Sequence, residues 1–411
     1  MQTKHYNFIQ PPYFFSYLRI VKVHYLFNPE HDLALANGDR HFIAPRNIRE
    51  MAKDLAPLMS AVEGRLQPWG WDLTAKAKIK QAGIPEEELP TDESLVALRH
   101  RSGRATAHHL LRNFRHEHPT ATYIGESLIA SSIDEIAAYV AQHGHILLKA
   151  PLSGSGKGLR HIHDNADTEE KSTLKRVESW ANALIHRHGY LTAEPYYNKV
   201  QDFAMEFRVA DGQCHFIGYS LFVTDHHGRY DGNRLMSDAK IEELLATYIP
   251  REALHETTRW IAAHHADIIP VEWDTNRFPL HFGVDMMIAN HNLQPLTVSG
   301  KRLEMKDNQL KGNSEFRIQK SEFKLHPCVE INLRLNMGII AHEIYRQRLV
   351  PEAEGLYRIA IFADNASLRA FSAEQATLHP ATYRNGRITK GYLPLTPIMD
   401  DTRHHAYVIC E

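Results

Sequence analysis

The chain has 411 residues, which is enough for two or three domains of ordinary size. Hydrophobic residues make up 43% and charged residues 23%, and the net charge of −2 gives no electrostatic reason to expect a nucleic acid or a membrane surface as partner. No apolar run reaches the ~18 residues of a membrane span, no signal peptide is recognisable, and three widely spaced cysteines indicate free thiols in a reducing, cytoplasmic compartment.

The first hundred residues are predicted to form an irregular extension followed by a small α/β domain. Residues 1–20 have no periodic pattern, whereas the β-branched and aromatic residues of 21–27 predict a strand. A polar loop, NPEHDLALANG (28–38), is expected after it. Helical patterns then occupy 47–62, 72–82 and 92–100.

The polar stretch after the first strand carries several side chains that bind ligands in other proteins. Asn28, Glu30, His31 and Asp32 lie within five residues. A loop at the carboxyl end of a strand often reaches a ligand. An Asx turn with a purely structural role explains the same residues, and the sequence leaves both interpretations open.

The middle of the chain mixes helices with antiparallel strand pairs. A helix is predicted over 104–114, and Ser132 with Glu135 forms a capping box that opens a helix ending near Gly144. Asp211-Gly212 between two apolar stretches is typical of a hairpin. The further predictions are strands at 145–150, 158–163, 189–195, 202–211 and 214–223 and a helix at 173–187.

The last part of the chain continues the mixture. Helices are predicted at 237–247, 251–266 and 337–350 and strands at 281–289 and 328–334. The final sixty residues show only two weak strands, 355–363 and 404–410, with turns between them. Hairpins beside helices predict an α+β or mixed α/β fold rather than one doubly wound sheet.

The stretch ILLKAPLSGSGKGLR (146–160) combines a lysine at the end of an apolar run with a glycine-rich loop. A Walker A loop would need glycine where Pro151 stands and serine or threonine where Gly158 stands, so it is excluded. Two interpretations remain. The loop is a flap whose backbone N–H groups close over anionic oxygens, or it is a hairpin loop with a solvated Lys157.

The segment VEINLR places three polar side chains at alternate strand positions, so Glu330, Asn332 and Arg334 face one side. Such a group is costly in a core unless it binds something. Carboxylate and amide oxygens suit Mg²⁺, and a guanidinium suits a phosphoryl group. Asp285, in an otherwise apolar strand, is a natural second carboxylate, and Glu194 at a strand end is placed to accept from ribose hydroxyls.

In order and residue type, these segments resemble the ATP-grasp superfamily. The resemblance implies an ATP-grasp fold with a preceding small α/β domain, catalytic roles for Arg334 and Lys149, and Mg²⁺ (or Mn²⁺) held by Asp285, Glu330 and Asn332. The ATP-binding set that the resemblance implies is Arg104, Lys149, Ser153, Gly154, Ser155, Gly156, Lys157, Gly158, Glu194, Tyr196 and Tyr197. Its strand position adds Glu206 to this set. Arg104 stands where relatives commonly have lysine, and an insert at 291–327 replaces their short hairpin.

The resemblance also implies a division of the chain and an activity. The expected units are 1–20, 21–103 (the preceding domain), 104–194 and 195–348 (the two ATP-grasp subdomains) and 349–411 (a C-terminal extension). The expected reaction activates a carboxylate as an acylphosphate for attack by an amine, with small-molecule or peptide substrates and a homodimer as the default assembly. The alternatives are an ATP-grasp carboxylase that uses bicarbonate and a non-catalytic nucleotide-binding regulator.

Further polar residues near the middle of the chain are candidate substrate contacts. Arg229, Tyr230 and Asn233 lie in GRYDGNRL (228–235), which is either a loop that closes over substrate or a solvated turn. Arg208 shares a strand face with Glu206, so an internal ion pair is as plausible as a role at the site. The 28 histidines show no HExxH pattern and are interpreted as surface or satisfied core residues.

Overall fold

The computed structural model describes residues 25–62, 66–154, 158–163, 173–224, 230–290 and 322–411. Their helices are α1 (His31–Asn37), α2 (Arg46–Leu55), α3 (Leu73–Gln81), α4 (Asp92–Arg101), α5 (Arg104–Glu117), α6 (Ile133–His143), α7 (Thr173–His188), α8 (Asp238–Leu245), α9 (Arg251–Ala263), α10 (Met337–Arg348) and α11 (Asn365–Leu378). Short 3₁₀ helices lie at Ala56–Ala61, Glu86–Glu88 and His265–Asp267.

The strands of the same residues form three sheets. They are β1 (Tyr25–Leu26), β2 (Gln67–Pro68), β3 (Leu128–Ala130), β4 (His145–Lys149), β5 (Leu159–His163), β6 (Leu191–Pro195), β7 (Lys199–Ala210), β8 (Gln213–Thr224), β9 (Tyr230–Leu235), β10 (Leu280–Asn290), β11 (Phe323–Asn332), β12 (Gly355–Ile361), β13 (Thr382–Arg384), β14 (Arg387–Pro394) and β15 (His404–Cys410). The predicted mixed α/β class is confirmed.

The smallest sheets come from the first half of the chain. β1 and β2 pair in parallel, and four antiparallel strands form a second sheet in the order β3-β6-β4-β5. Helices α6 and α7 cover that sheet, and Ile136, Ile146, Leu148 and Ala193 are buried between them. Because side chains alternate along a strand, burying Ile146 and Leu148 in this core directs the neighbouring positions to the other face.

The large sheet has nine antiparallel strands in the order β11-β10-β7-β8-β9-β12-β15-β14-β13. Its β7–β10 region packs on α5, α8 and α9 through a fully buried aromatic group that includes Phe203, Phe207 and Phe282. In the register of β10 with β11, Asp285 lies directly opposite Glu330. The strand pairing therefore brings together two carboxylates that are 45 positions apart, on either side of the segment 291–321 outside the described residues.

Residues after 349 complete the large sheet rather than standing apart from it. β12 pairs with β9 on one side and with β15 on the other. A second core joins these strands to the start of the chain, with Phe27, Leu55, Ile340, Tyr357 and Val408 all buried. The beginning and the end of the described chain are thus packed against each other.

Three predicted loops are wrong. Residues 28–38 contain helix α1, because Ala34 and Leu35 bury one face and Gly38, at φ 80°, ends the turn. GRYDGNRL contains strand β9, where β12 approaches so closely that a side chain at Gly232 would meet the Tyr357 carbonyl. The C-terminal sixty residues also contain α11, β13 and β14; the side chains of α11 and β13 are mostly exposed and give little periodic signal.

Several local predictions are confirmed. Ser132 Oγ accepts from Glu135 N at the start of α6, and Asp211 and Gly212 have positive φ values of 51° and 70°, as a tight hairpin turn requires. All three cysteines are free thiols. Among the described residues, no helix combines the length and apolar character that crossing a bilayer requires.

Candidate functional site

The two segments around Lys149 and Glu330 meet between the four-stranded and nine-stranded sheets. Lys149, at the end of β4, donates from Nζ to the Val329 carbonyl of β11 at 3.2 Å. Arg104, the first residue of α5, forms an ion pair with Glu330 at 3.0 Å. The geometry therefore joins three of the predicted ATP-site residues in one place.

Lys149 and Glu194 form a buried ion pair. Nζ lies 2.5 Å from Glu194 Oε2, and the side chains are 3% and 9% exposed. The adjacent strands β4 and β6 place them side by side. Each buried charge is stabilised by the other. Removing either one would leave a lone buried charge, which is strongly unfavourable.

Arg104 connects the glycine-rich loop with β11. Its Nε donates to the Ala150 carbonyl at 3.0 Å, and one terminal nitrogen lies 3.5 Å from Ser153 Oγ. Its other contact is the Glu330 carboxylate. The guanidinium of Arg104 therefore lies at the end of β4, between the glycine-rich loop and Glu330.

Arg334 makes a two-pronged contact with a residue from the first helix. Its Nε lies 3.0 Å from Asp32 Oδ1 and a terminal nitrogen lies 2.9 Å from Oδ2. Burial disfavours the charged carboxylate, but the charge and hydrogen bonds of Arg334 outweigh it and lower the pKa of Asp32. This fork-to-carboxylate geometry is the one that guanidinium also offers to phosphate.

The predicted metal ligands lie together. Asp285 and Glu330 face each other across β10 and β11, and Asn332 Nδ2 donates to Asp285 Oδ2 at 3.2 Å. Burial, followed by the nearby charge of Glu330, raises the pKa of Asp285. Within the described ranges no three His, Cys, Asp or Glu side chains form a metal-sized group. The protein therefore offers two carboxylates and one amide, which matches the few protein ligands that Mg²⁺ takes when it also binds phosphate.

A polar cleft, with about 420 Å³ of space that is partly open to solvent, lies beside Glu330 and Asn332. Its walls include Asp32, Arg104, Ser153, Glu330 and Arg334. A second cavity, of about 230 Å³, lies on the other side of Arg104 and is lined by Thr192, Glu194 and Val329. The two spaces flank the charged side chains from opposite ends.

The glycine-rich loop is only partly described. Ser153 lines the cleft, and Gly154 lies so close to Asp32 that a β-carbon there would overlap the carboxylate. Gly158 closes the loop by accepting from Ala150 N at 2.8 Å. Ser155, Gly156 and Lys157 lie outside the described residues, so their predicted contacts with phosphate stay predictions.

The predicted aromatic neighbours of adenine line neither cavity. Tyr196 is 40% exposed and stacks on His145, with ring centroids 4.0 Å apart. Tyr197 accepts from the Glu126 backbone N–H at 3.2 Å and packs against His326. The sequence order placed both near Glu194, but the strand end turns their rings to other partners.

Glu206 lies beneath the acidic pair rather than on the cleft wall. It is 1% exposed, and its Oε2 accepts from Asn336 Nδ2 at 2.7 Å. β-carbons added at Gly283 or Gly338 would overlap its carboxyl group. The hydrogen-bond partner of the Glu206 carboxyl group is Asn336 rather than Arg208. In the pairing of β7 with β10, Arg208 lies opposite His281.

The candidate substrate residues near β9 are bonded within the sheet. Tyr230 donates to Asn233 Oδ1 at 2.5 Å, and the 1%-exposed Asn233 donates to Ser220 Oγ at 2.7 Å. These bonds hold β8 and β9 together. Arg229 lies outside the described residues, and neither Tyr230 nor Asn233 lines the cleft.

We predict that Glu206 makes the ligand-free protein lose stability as the pH rises. Burial is the main cause that raises the pKa of Glu206 from 4.5 to about 8. Between these values the unfolded chain releases a proton that the folded chain keeps, so the free energy of unfolding falls with pH, by up to about 1.4 kcal/mol per pH unit. In Glu206→Gln this contribution is absent, and the amide oxygen can still accept from Asn336.

Urea denaturation of both proteins at pH 5 and pH 8 measures the difference. Wild type should lose more stability between the two values than Glu206→Gln. Asp285 contributes to the raised pKa of Glu206, so the comparison measures Glu206 together with its interaction with Asp285. If both proteins lost the same free energy of unfolding between pH 5 and pH 8, Glu206 would be ionised in the folded protein at both pH values. Its pKa would then not be raised.

Two features of this site were not predicted from the sequence. Asp32 was recognised as a polar candidate, but its pairing with Arg334, 302 positions away, has no local signal. The same is true of the contact between His31 and Asp72, at 2.8 Å. The cluster of polar residues after the first strand was the sequence feature that favoured a place for this segment at a site, and His31 and Asp32 line the cleft.

No family model matches the chain, and no curated protein matches it. Its fold is similar to solved structures. An N5-carboxyaminoimidazole ribonucleotide synthetase in an ADP complex is 9% identical, with 94% of this chain and 91% of that chain covered and a TM-score of 0.47. The Staphylococcus aureus N5-carboxyaminoimidazole synthetase with ADP is 12% identical (95% and 94% covered, TM-score 0.42), and the Campylobacter jejuni biotin carboxylase is 13% identical (94% and 81% covered, TM-score 0.47).

At identities of 9–13% and TM-scores below 0.5, these similarities concern the fold alone. The chemistry of this chain depends on its own residues.

Proposed function

We propose that the chain is an ATP-dependent ligase that converts a carboxylate into an acylphosphate and passes the acyl group to an amine. The observation that carries the proposal is the meeting of Lys149, Arg104 and Arg334 with Asp285, Glu330 and Asn332. Four of the six, Arg104, Glu330, Asn332 and Arg334, line one polar cleft. A magnesium-bound triphosphate requires cationic side chains for its phosphate oxygens and carboxylates for the metal ion.

Each of the three cations has a carboxylate partner in the ligand-free protein: Arg104 with Glu330, Lys149 with Glu194 and Arg334 with Asp32. The pairs keep the side chains in place without leaving a bare buried charge. Triphosphate oxygens would replace the carboxylates as partners of Lys149 and Arg104. The released Glu194 would then accept from ribose hydroxyls beside the smaller cavity.

The residues fit a divalent ion. Asp285 and Glu330 repel each other across β10 and β11, and this repulsion contributes to the raised pKa of Asp285. A cation between them removes the repulsion, so Asp285, Glu330 and Asn332 would hold Mg²⁺, or Mn²⁺ in its place. When bound, the ion would neutralise charge on the phosphates.

Arg334 is placed to act on the carboxylate substrate. It lines the 420 Å³ cleft, and its fork of donors is held in the cleft by Asp32. A substrate carboxylate or its acylphosphate would take the place of the Asp32 oxygens. The guanidinium would then stabilise the charge that develops as the phosphoryl group moves and as the amine attacks.

The proposal is tested by ADP formation from ATP against a panel of acids that includes bicarbonate, amino acids and short peptides, each with and without ammonia or an amino acid as the amine. Hydroxylamine added to the reaction traps an acylphosphate as a hydroxamate. We expect ADP formation that depends on one class of acid, and hydroxamate in proportion to it.

Other outcomes separate the alternatives. A response to bicarbonate alone would favour a carboxylase. Tight binding of ATP with no turnover across the panel would contradict the ligase and favour a regulator. Turnover without any hydroxamate would contradict the acylphosphate.

A further inference from the structure

A second buried pair, His31 and Asp72, lies at the edge of the same cleft. His31 Nδ1 lies 2.8 Å from Asp72 Oδ2, and the two residues are 1% and 3% exposed. Asp72 is itself fixed, because its Oδ1 accepts from Ala75 N at 2.7 Å and its Oδ2 lies 3.3 Å from Asn28 Nδ2. A carboxylate held in this way fixes the orientation of the imidazole.

The other ring nitrogen of His31 is unused. Among the described residues, Nε2 is buried and has no hydrogen-bond partner. One edge of the ring packs against Gly70, where a β-carbon would overlap it, and His31 belongs to the cleft wall together with Arg104, Glu330 and Arg334. Buried polar atoms are nearly always satisfied, so an unpartnered nitrogen beside a polar cleft indicates a ligand group.

An imidazole that is oriented by a carboxylate and keeps a free nitrogen has the geometry of a general base. Other buried histidines of the described residues, His281 and His326 among them, also have ring nitrogens without a partner, but neither of these lines the cleft as His31 does. A metal site is not supported, because among the described residues no group of three ligating side chains includes this pair. His31 also immediately precedes Asp32, the partner of Arg334, so both residues leave α1 toward the same cleft.

We propose that His31 accepts the proton of the amine nucleophile and that Asp72 is its positioning residue; this rests on the ligase function proposed above. As the amine nitrogen bonds to the acyl carbon, the carbon–oxygen bond to phosphate breaks and inorganic phosphate leaves with the electron pair. The proton of the new ammonium group moves to His31 Nε2. No oxidant or further reactant is needed, and the formation of the acylphosphate does not involve His31.

Because His31 would act in the attack of the amine and not in the formation of the acylphosphate, we predict that the two half-reactions respond differently to His31→Gln. The first half-reaction is measured without amine, as acid-dependent scrambling of the β,γ-bridging oxygen of ¹⁸O-labelled ATP. The second is measured as amide formed from the same acid with ammonia, glycine or another common amino acid. We expect scrambling to stay near the wild-type rate while amide formation falls by about 10²-fold or more.

Gly70→Ala is a second variant that leaves every ionisable group in place. Its β-carbon would displace the His31 ring, so it should also lower amide formation and spare scrambling. His116→Gln, at an exposed position of α5, is the matched control and should leave both rates unchanged.

The outcomes distinguish the two proposals. Scrambling and amide formation that fall together in His31→Gln, or amide formation that is unchanged, would overturn the role of His31 and leave the ligase intact. Scrambling in wild type with no amine reacting would also overturn it, since the base would have no nucleophile. Neither reaction in wild type would overturn the ligase itself and this role with it.

Discussion

Arg334→Ala should lower ATP turnover by about 10²–10³-fold while the protein keeps its fold. We propose that Arg334 is the guanidinium that contacts the transferred phosphoryl group; its hydrogen bonds to Asp32 hold it in the cleft wall. A preorganised donor of this kind is worth more in the transition state than in the ground state. The measurement is ADP formation with the acid and amine that react fastest in the panel.

The controls separate a lost catalytic group from a damaged fold. Arg348→Ala removes an exposed arginine at the end of α10 and should keep wild-type turnover. Glu330→Ala, which removes a proposed metal ligand, should match Arg334→Ala in activity. Far-UV circular dichroism should be unchanged in all three. Wild-type turnover in either site variant would contradict the assignment.

Lys149→Met should destabilise the ligand-free protein by about 3–5 kcal/mol, because it leaves the Glu194 carboxylate buried without a partner. The side chain of Glu194 is 9% exposed and its ion-pair partner is Lys149, at 2.5 Å. Methionine fills the space of the lysine stem, so cavity formation contributes little. Urea denaturation without nucleotide measures the loss.

The double variant Lys149→Met/Glu194→Gln tests the same pair from the other side. Removing both charges should restore most of the lost stability, because no bare charge remains. Binding of ATP should stay weak in the double variant, since the cation that would contact the phosphates is gone. If the double variant bound ATP like wild type, Lys149 would have a structural role alone.

Several of the predicted site residues lie close together, but the sequence did not predict how they are joined. Lys149 ends an apolar strand, and Glu330 and Asn332 alternate along another, so strand periodicity alone puts them on defined faces. The register that sets Asp285 opposite Glu330 depends on pairing across a long insert, which no local pattern encodes. The ion pairs of Arg104, Lys149 and Arg334 are likewise contacts between distant segments.

The wrong predictions have a common physical origin in packing between distant segments. Residues 28–38 are polar enough for a loop, yet the burial of Ala34 and Leu35 in the assembled fold stabilises a single short helix. GRYDGNRL looks like a turn because of Gly232, but that glycine allows the close approach of β12. The adenine contact of Tyr196 and Tyr197 stays a prediction, and their rings pack on His145 and His326.

We propose that the segments around Lys149 and Glu330 enclose a magnesium-bound triphosphate. A crystal structure with a non-hydrolysable ATP analogue and Mn²⁺, whose anomalous signal locates the metal, tests it most directly. We predict manganese between Asp285, Glu330 and Asn332, with a phosphate oxygen within hydrogen-bonding distance of Lys149 Nζ. A well-ordered analogue bound elsewhere, with Lys149 still paired to Glu194 and no metal between the two carboxylates, would contradict the account.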